Sequence, residues 1–241
     1  RILMTIALER KKSDKLAAVG GVGIRTKLLD ITAKLDDVVL MGRGDPDLPT
    51  PPHIIEAAKR ALDNGATHYT HVRGNIELRR AIAEKLKRDN NLDYDPETEI
   101  MVTVGAEEAV FLAMYALLNE GDEVLVCEPR YTSYDEAILM WGGKPVVVPC
   151  DPDEDFLFKP ENIRKAITPR TKVISLVNPG NPIGMLAPEV VEEIAKIAIE
   201  HDLIVISDEI YENIIFDGTK HLSMAAVLGM RERTITVNGP S

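Results

Sequence analysis

The chain has 241 residues, 45% of them hydrophobic and 28% charged, enough to bury one large core or a core and a half. A formal net charge of −11 argues against a nucleic-acid or anionic-membrane partner, because phosphate binding is built on lysine and arginine surfaces. No stretch approaches the roughly 20 apolar residues of a bilayer span and no signal-peptide pattern opens the chain, so a cytoplasmic protein without a membrane partner is expected. The two cysteines, Cys127 and Cys150, sit in apolar strand-like runs and read as reduced core thiols. Of five histidines only His68 and His71 are close together, which leaves no metal-ligand spacing, and no metal is expected.

Residues 1–40 open with a basic patch (Arg10, Lys11, Lys12), followed by Gly20-Gly21-Val22-Gly23 and helical periodicity over 27–35. The glycines are not a dinucleotide fingerprint, since no strand precedes them and Thr26 stands at the third glycine position. A flexible arm and a lid over a site both remain open readings. Residues 42–52 form a rigid proline-rich loop in which Thr50 and Pro51 predict an N-cap and a first helical position. Helices follow at 53–62, ending before Asn64-Gly65, and at 76–88 after the His68-Tyr69-Thr70-His71 loop.

From residue 100 strands and helices alternate. Strands are expected at 100–104, 124–127, 145–148, 173–177, 203–206 and 234–237, and helices at 106–118, 131–140, 161–167 and 189–200. The acidic residues 151–155 read as a solvated loop. This alternation predicts βαβ units and a mainly parallel α/β sheet with no internal repeat.

Three strand exits carry chemistry. Residues 203–206 are an unbroken apolar run, the mark of a strand buried on both faces, and the run breaks at Ser207, Asp208 and Glu209 without a turn glycine. Ligands of open α/β sheets bind just beyond such carboxyl ends. Asp208 and Tyr211 converge on one ligand only if the chain has left the strand by Asp208. Together they could hold a ring bearing a basic nitrogen and an oxygen; alternatively Asp208 caps a turn. At the second exit, Gly105, Ala106 and Glu107 open a helix whose free N–H groups and dipole favour a phosphate. At the third, two prolines and two glycines in residues 177–184 constrain the backbone while Asn178 and Asn181 are displayed on it. Phosphate donors, an amide-bearing loop, an acid and a phenol add up to a phosphorylated hydroxypyridine, pyridoxal 5′-phosphate.

With these motifs, and with Gly44-Asp45-Pro46-Asp47, Tyr69-Thr70, Pro129-Arg130-Tyr131 and residues 233–239, the sequence resembles the class I/II aminotransferases of fold type I. The resemblance implies a large pyridoxal-phosphate-binding domain, residues 46–241, with a mainly parallel seven-stranded sheet and helices on both faces. It assigns residues 1–45 to an N-terminal arm and part of a smaller domain. Asp208 would pair with the pyridine nitrogen and keep it protonated. Tyr211 and Asn181 would bond the phenolic oxygen, Asn181 and Gly44 would reach the substrate carboxylate, and Tyr131 would stack on the ring. The Gly105, Ala106 and Glu107 backbone would bind phosphate, and Tyr69 would reach the neighbouring active site of a homodimer. The implied reaction moves an amino group from an aromatic, neutral or aspartate-type amino acid to a 2-oxo acid.

The resemblance also places the Schiff-base lysine immediately after Ser241 and the carboxylate-clamping arginine farther on, so the 241 residues are expected to be a fragment. Ile183 stands where the family usually has Thr, and Pro240 where an aromatic or small residue is common. Glu107, if turned into the pocket, would repel a dicarboxylate and favour aromatic or neutral donors; on an exposed first helical turn it would merely suit the dipole. A C–S β-lyase or related synthase on the same fold is the alternative among enzymes. From a different class, the alternative is a ligand-sensing domain of a transcription regulator, which would need a helix-turn-helix extension.

Overall fold

In a computed structural model of the chain, residues 11, 13–19, 24–35, 37–39, 48–154, 156 and 158–240 are described. The glycine run at 20–23, Gly44 and Ser241 lie outside them. The chain divides into two compact units, Gly20–Asn75 and the remainder.

The helices are α1 (Asp14–Ala18), α2 (Ile24–Thr32), α3 (Pro52–Asp63), α4 (Ile76–Asn90), α5 (Gly105–Leu117), α6 (Ser133–Met140), α7 (Pro160–Ala166) and α8 (Pro188–Glu200). Three of them begin on proline, where the fixed φ suits the first helical position and no N–H is lost from the ladder. In α3 this shifts the cap: Pro51, kept extended by the proline after it, is the N-cap in place of Thr50, with no side-chain capping bond.

The strands are β1 (Glu123–Glu128), β2 (Lys144–Pro149), β3 (Thr171–Val177), β4 (Ile204–Asp208) and β5 (Thr234–Val237). They form one sheet in the order β2-β1-β3-β4-β5, and every pairing is parallel. Among the described residues there are thus five strands where the resemblance implies seven. Residues 100–104 are one reason. Their apolar pattern reads as a strand, but no neighbouring strand takes up their backbone groups, and Met101 and Val104 lie exposed. A strand exists only with a partner to complete its ladder.

Period-two alternation splits the sheet residues between two apolar layers. Leu125, Ile174, Leu176 and Val205 pack on Ile163 of α7 and on Ile194 and Ile197 of α8. Val124, Val126, Val173 and Ile206 face the other way, onto Val110 and Met114 of α5 and Ile138 of α6. Helix α8 serves the first layer because Val191, Ile194, Ala195 and Ala198 recur at helical spacing on one buried face. Ile194 is fully buried there. Its replacement by Ala is expected to cost about 2–5 kcal/mol in denaturant unfolding, and a loss below about 1 kcal/mol would contradict this packing.

Candidate active site

The strand order fixes where a ligand site belongs. The chain goes from β1 outward to β2 and then crosses back to β3 on β1's other side. Loops leaving the carboxyl ends of β1 and β3 therefore diverge and leave a crevice between them. Tyr131 and Tyr134 line that crevice from the β1 side, and Val177, Gly180 and Asn181 from the β3 side. Gly180 and Asn181 also border a second groove, of about 480 Å³, together with Met185, Tyr211 and Phe216. That volume lies within the usual range for small-molecule sites.

Asp208 is the last residue of β4, still paired with Val177 and Val237, and the chain leaves the strand immediately after it. Its carboxylate is buried, 2% exposed. One oxygen accepts the Ile210 N–H at 3.0 Å, which is the turn-capping role, and the other accepts the Tyr134 hydroxyl. Among the described residues no lysine, arginine or histidine forms an ion pair with it. Burial holds its pKa above the usual carboxylate value, and the Tyr134 and Ile210 hydrogen bonds offset only part of that rise. The site thus keeps a carboxylate short of positive charge.

The rigid loop after β3 displays one amide rather than two. Asn178 is buried, and its Oδ1 accepts the Leu186 N–H at 2.8 Å, closing the loop from inside, whereas Asn181 stays exposed. Gly180 and Gly184 exchange backbone hydrogen bonds across the turn. A Cβ on Gly180 would meet Ile183 at 3.0 Å and the Val177 carbonyl at 3.2 Å, so a larger residue would press on the turn and its neighbours would have to give way.

At the start of α5, Gly105 adopts φ +77°. Its N–H bonds the Thr103 carbonyl at 3.0 Å, and Ala106 and Glu107 occupy the first helical turn, whose N–H groups lack partners inside the helix. Glu107 is exposed, and its carboxylate accepts the Tyr131 hydroxyl at 2.6 Å. The two readings of Glu107 therefore merge: it sits on a solvated turn and is also tied to a crevice tyrosine.

Tyr131 and Asn181 line the crevice, Asn181 and Tyr211 share the second groove, Glu107 bonds Tyr131, and Asp208 is linked to the crevice through Tyr134. Tyr69 belongs to the separate unit and is fully exposed there.

Two contributors were missed in the sequence. Tyr134 packs edge-to-face on Tyr131, with ring centroids 5.7 Å apart; its three-residue spacing from Tyr131 on a helical segment was the available signal. Glu209 is completely buried on the opposite face from Asp208. It accepts hydrogen bonds from Ser207 Oγ (2.8 Å), Ser223 Oγ (3.0 Å) and the Met224 N–H (3.1 Å), with His221 Nε2 at 3.0 Å. Nearby, burial would raise the Glu212 pKa, but bonds from Lys85 and Asn90 bring it below the usual value. Ligand-type atoms of Glu209, Glu212 and His221 approach within 4.8 Å, a grouping sequence spacing did not reveal, but the carboxylates are engaged by protein donors.

Residues 36–241 match the family model for aminotransferase class I and II. The chain belongs to that family. It is 50% identical over 228 residues to an aspartate aminotransferase of Pyrococcus abyssi and 43% identical over 228 residues to aromatic-amino-acid aminotransferase 2 of Thermococcus litoralis. Each match covers 94% of this chain, and the chain spans 58% of the length of these curated relatives. The fold also matches the aspartate aminotransferase of Thermus thermophilus with maleate, at a TM-score of 0.89 and 41% identity, covering 95% of this chain and 60% of that one. This establishes the fold-type-I architecture, and pyridoxal 5′-phosphate is the cofactor of the class I and II family.

The charge state of Asp208 gives a direct check. Because its pKa is raised on folding, its contribution to stability is full below the unfolded carboxylate value and is lost as pH rises through the folded one. Thermal unfolding of the cofactor-free protein should therefore show Asp208→Asn gaining stability over wild type as pH rises above the ordinary carboxylate value of about 4. A difference that does not change with pH would contradict the assignment.

Proposed function

We propose that the protein transfers an amino group between an L-amino acid and a 2-oxo acid using pyridoxal 5′-phosphate, with aspartate-type or aromatic amino acids as donors. The observation that carries this reading is Asp208: a buried carboxylate with no cation beside it among the described residues, at the sheet edge where α/β ligands bind. A cationic ring N–H would supply the missing charge, so the residues present fit the cofactor. Bound there, the cofactor supplies an electron sink for the amino-acid carbon.

The chain's own residues would divide the work of holding it. Asp208 would keep the ring nitrogen protonated, and Tyr211 and Asn181, which share a groove, would bond the ring oxygen. Tyr131, oriented by Glu107, covers a ring face. The Gly105–Glu107 turn offers N–H groups to the phosphate. Asn181 and Gly44 would meet the substrate carboxylate. Tyr69, exposed in its own unit, would serve the neighbouring site of a homodimer. On this reading residues 1–45 contribute to a small domain, 46–241 form the cofactor domain, and the protein works in the cytoplasm. Among the described residues no helix is long and apolar enough to cross a membrane.

The test is to add pyridoxal phosphate to the full-length protein, which would carry the lysine expected after Ser241, follow its visible absorbance, and assay Asp, Phe, Tyr, Ala, Lys and Glu as donors to 2-oxoglutarate. Transfer from Asp or an aromatic donor is expected. Absence of cofactor binding would refute the reading, and release of pyruvate or ammonia would indicate a lyase instead. Asp208→Ala should lower turnover at least about a hundredfold, the scale of losing a well-placed electrostatic partner, and unchanged turnover would remove Asp208 from its role.

A further inference from the structure

Tyr134 of α6 holds a position that none of the family roles above assigns. Its hydroxyl donates to Asp208, 74 residues away in sequence, and its ring packs edge-to-face on Tyr131 at an interplanar angle of 81°. Tyr131 in turn donates to Glu107. One continuous contact path therefore runs from the start of α5 through two tyrosines to the end of β4.

We propose that Tyr134 is a positioning residue for the cofactor site: its hydroxyl keeps the Asp208 carboxylate ionised and fixed in direction, ready to pair with a protonated ring nitrogen. The inference rests on the functional reading above and names a residue that reading does not require.

The chemistry constrains the direction of the bond. Burial, then the neighbouring Asp208 carboxylate, push the Tyr134 phenol well above its ordinary pKa, so it stays protonated at working pH and acts as a donor. Among the described residues the Asp208 side chain has one other bond, from the Ile210 N–H, and its charge is opposed by burial and by the adjacent Glu209. The other titratable groups acting on Tyr134 among the described residues are Tyr131 and Glu107, and neither is cationic. Tyr134 is thus one of two groups that favour the charged carboxylate before any ligand arrives. A phenylalanine would keep the ring and its packing on Tyr131 and remove only the donor.

The experiment compares wild type with Tyr134→Phe, each freed of cofactor, in two measurements. The first is the affinity for pyridoxine 5′-phosphate, which lacks the aldehyde and so binds without covalent chemistry, measured calorimetrically across pH. The variant should bind about tenfold more weakly near neutrality, equivalent to about 1.4 kcal/mol, and the acid-side fall in its affinity should move to higher pH. The second is thermal unfolding, which needs no ligand. The stability gap between wild type and Tyr134→Phe should widen from about pH 4 to about pH 8, because the carboxylate that lost its donor ionises at greater cost. Equal affinities and superimposable pH profiles would overturn the positioning role while leaving the cofactor reading intact, as would a stability gap that does not vary with pH. Wild-type protein that fails to bind the analogue would overturn both. If Tyr134→Phe folds too poorly to titrate, the pair Asp208→Asn and Asp208→Asn/Tyr134→Phe decides. With a neutral amide in place of the acid, removing the hydroxyl should leave the pH dependence of unfolding unchanged, and a residual pH-dependent effect would overturn the proposal.

Discussion

A carboxylate buried at the end of a parallel strand, with two hydrogen-bond donors and no cation among the described residues, is the constraint on which this site depends. Taking a charge out of water costs several kcal/mol unless it is paired, and an unpaired acid raises its pKa in response. Asp208 does so. Its two donors reduce the penalty without removing it, which leaves an acid prepared for a cationic partner. The neighbouring features extend the same preparation: a rigid loop that exposes one amide, a tyrosine tethered by Glu107, and a groove where Asn181 and Tyr211 meet.

The fold makes this possible by simple alternation. Asp208 and Glu209 are consecutive acids, yet they leave β4 on opposite faces. Asp208 falls on the side of Ile206 and α6, where its partner is Tyr134. Glu209 falls on the side of Ser207, where four protein groups surround its oxygens and tie the strand exit to the segment 221–224. One acid is left in need of a ligand and the other is structurally saturated. The saturated one anchors the loop that carries Tyr211 toward the groove. The strand order adds the location, since the crossover at β1 and β3 opens the crevice that Tyr131, Tyr134 and Asn181 line.

Much of this was legible in the sequence because its signals are local. The unbroken run before Asp208 and the proline and glycine density of residues 177–184 each mark a strand exit without knowledge of the rest, whereas Gly105 marks a helix start that no strand precedes. Helix and strand boundaries moved by a residue or two where prolines and turns decided them. What could not be read depends on distant partners. Tyr134 meets Asp208 across 74 residues, and Asn178 turns inward only because Leu186 offers an N–H across the loop. Residues 100–104 have the composition of a strand, but composition does not supply the neighbour that would complete it. The role of Glu209 depends on four partners, two of them more than a dozen residues on, that only the fold brings together.

The central claim is that Asp208 awaits a protonated ring nitrogen. The most direct measurement is nitrogen NMR of the protein carrying pyridoxal phosphate labelled with ¹⁵N in the ring. A ring nitrogen that stays protonated well above its pKa in free solution, and loses that protonation in Asp208→Asn, is the expected result. A nitrogen unprotonated at neutral pH in the wild-type protein would contradict the claim.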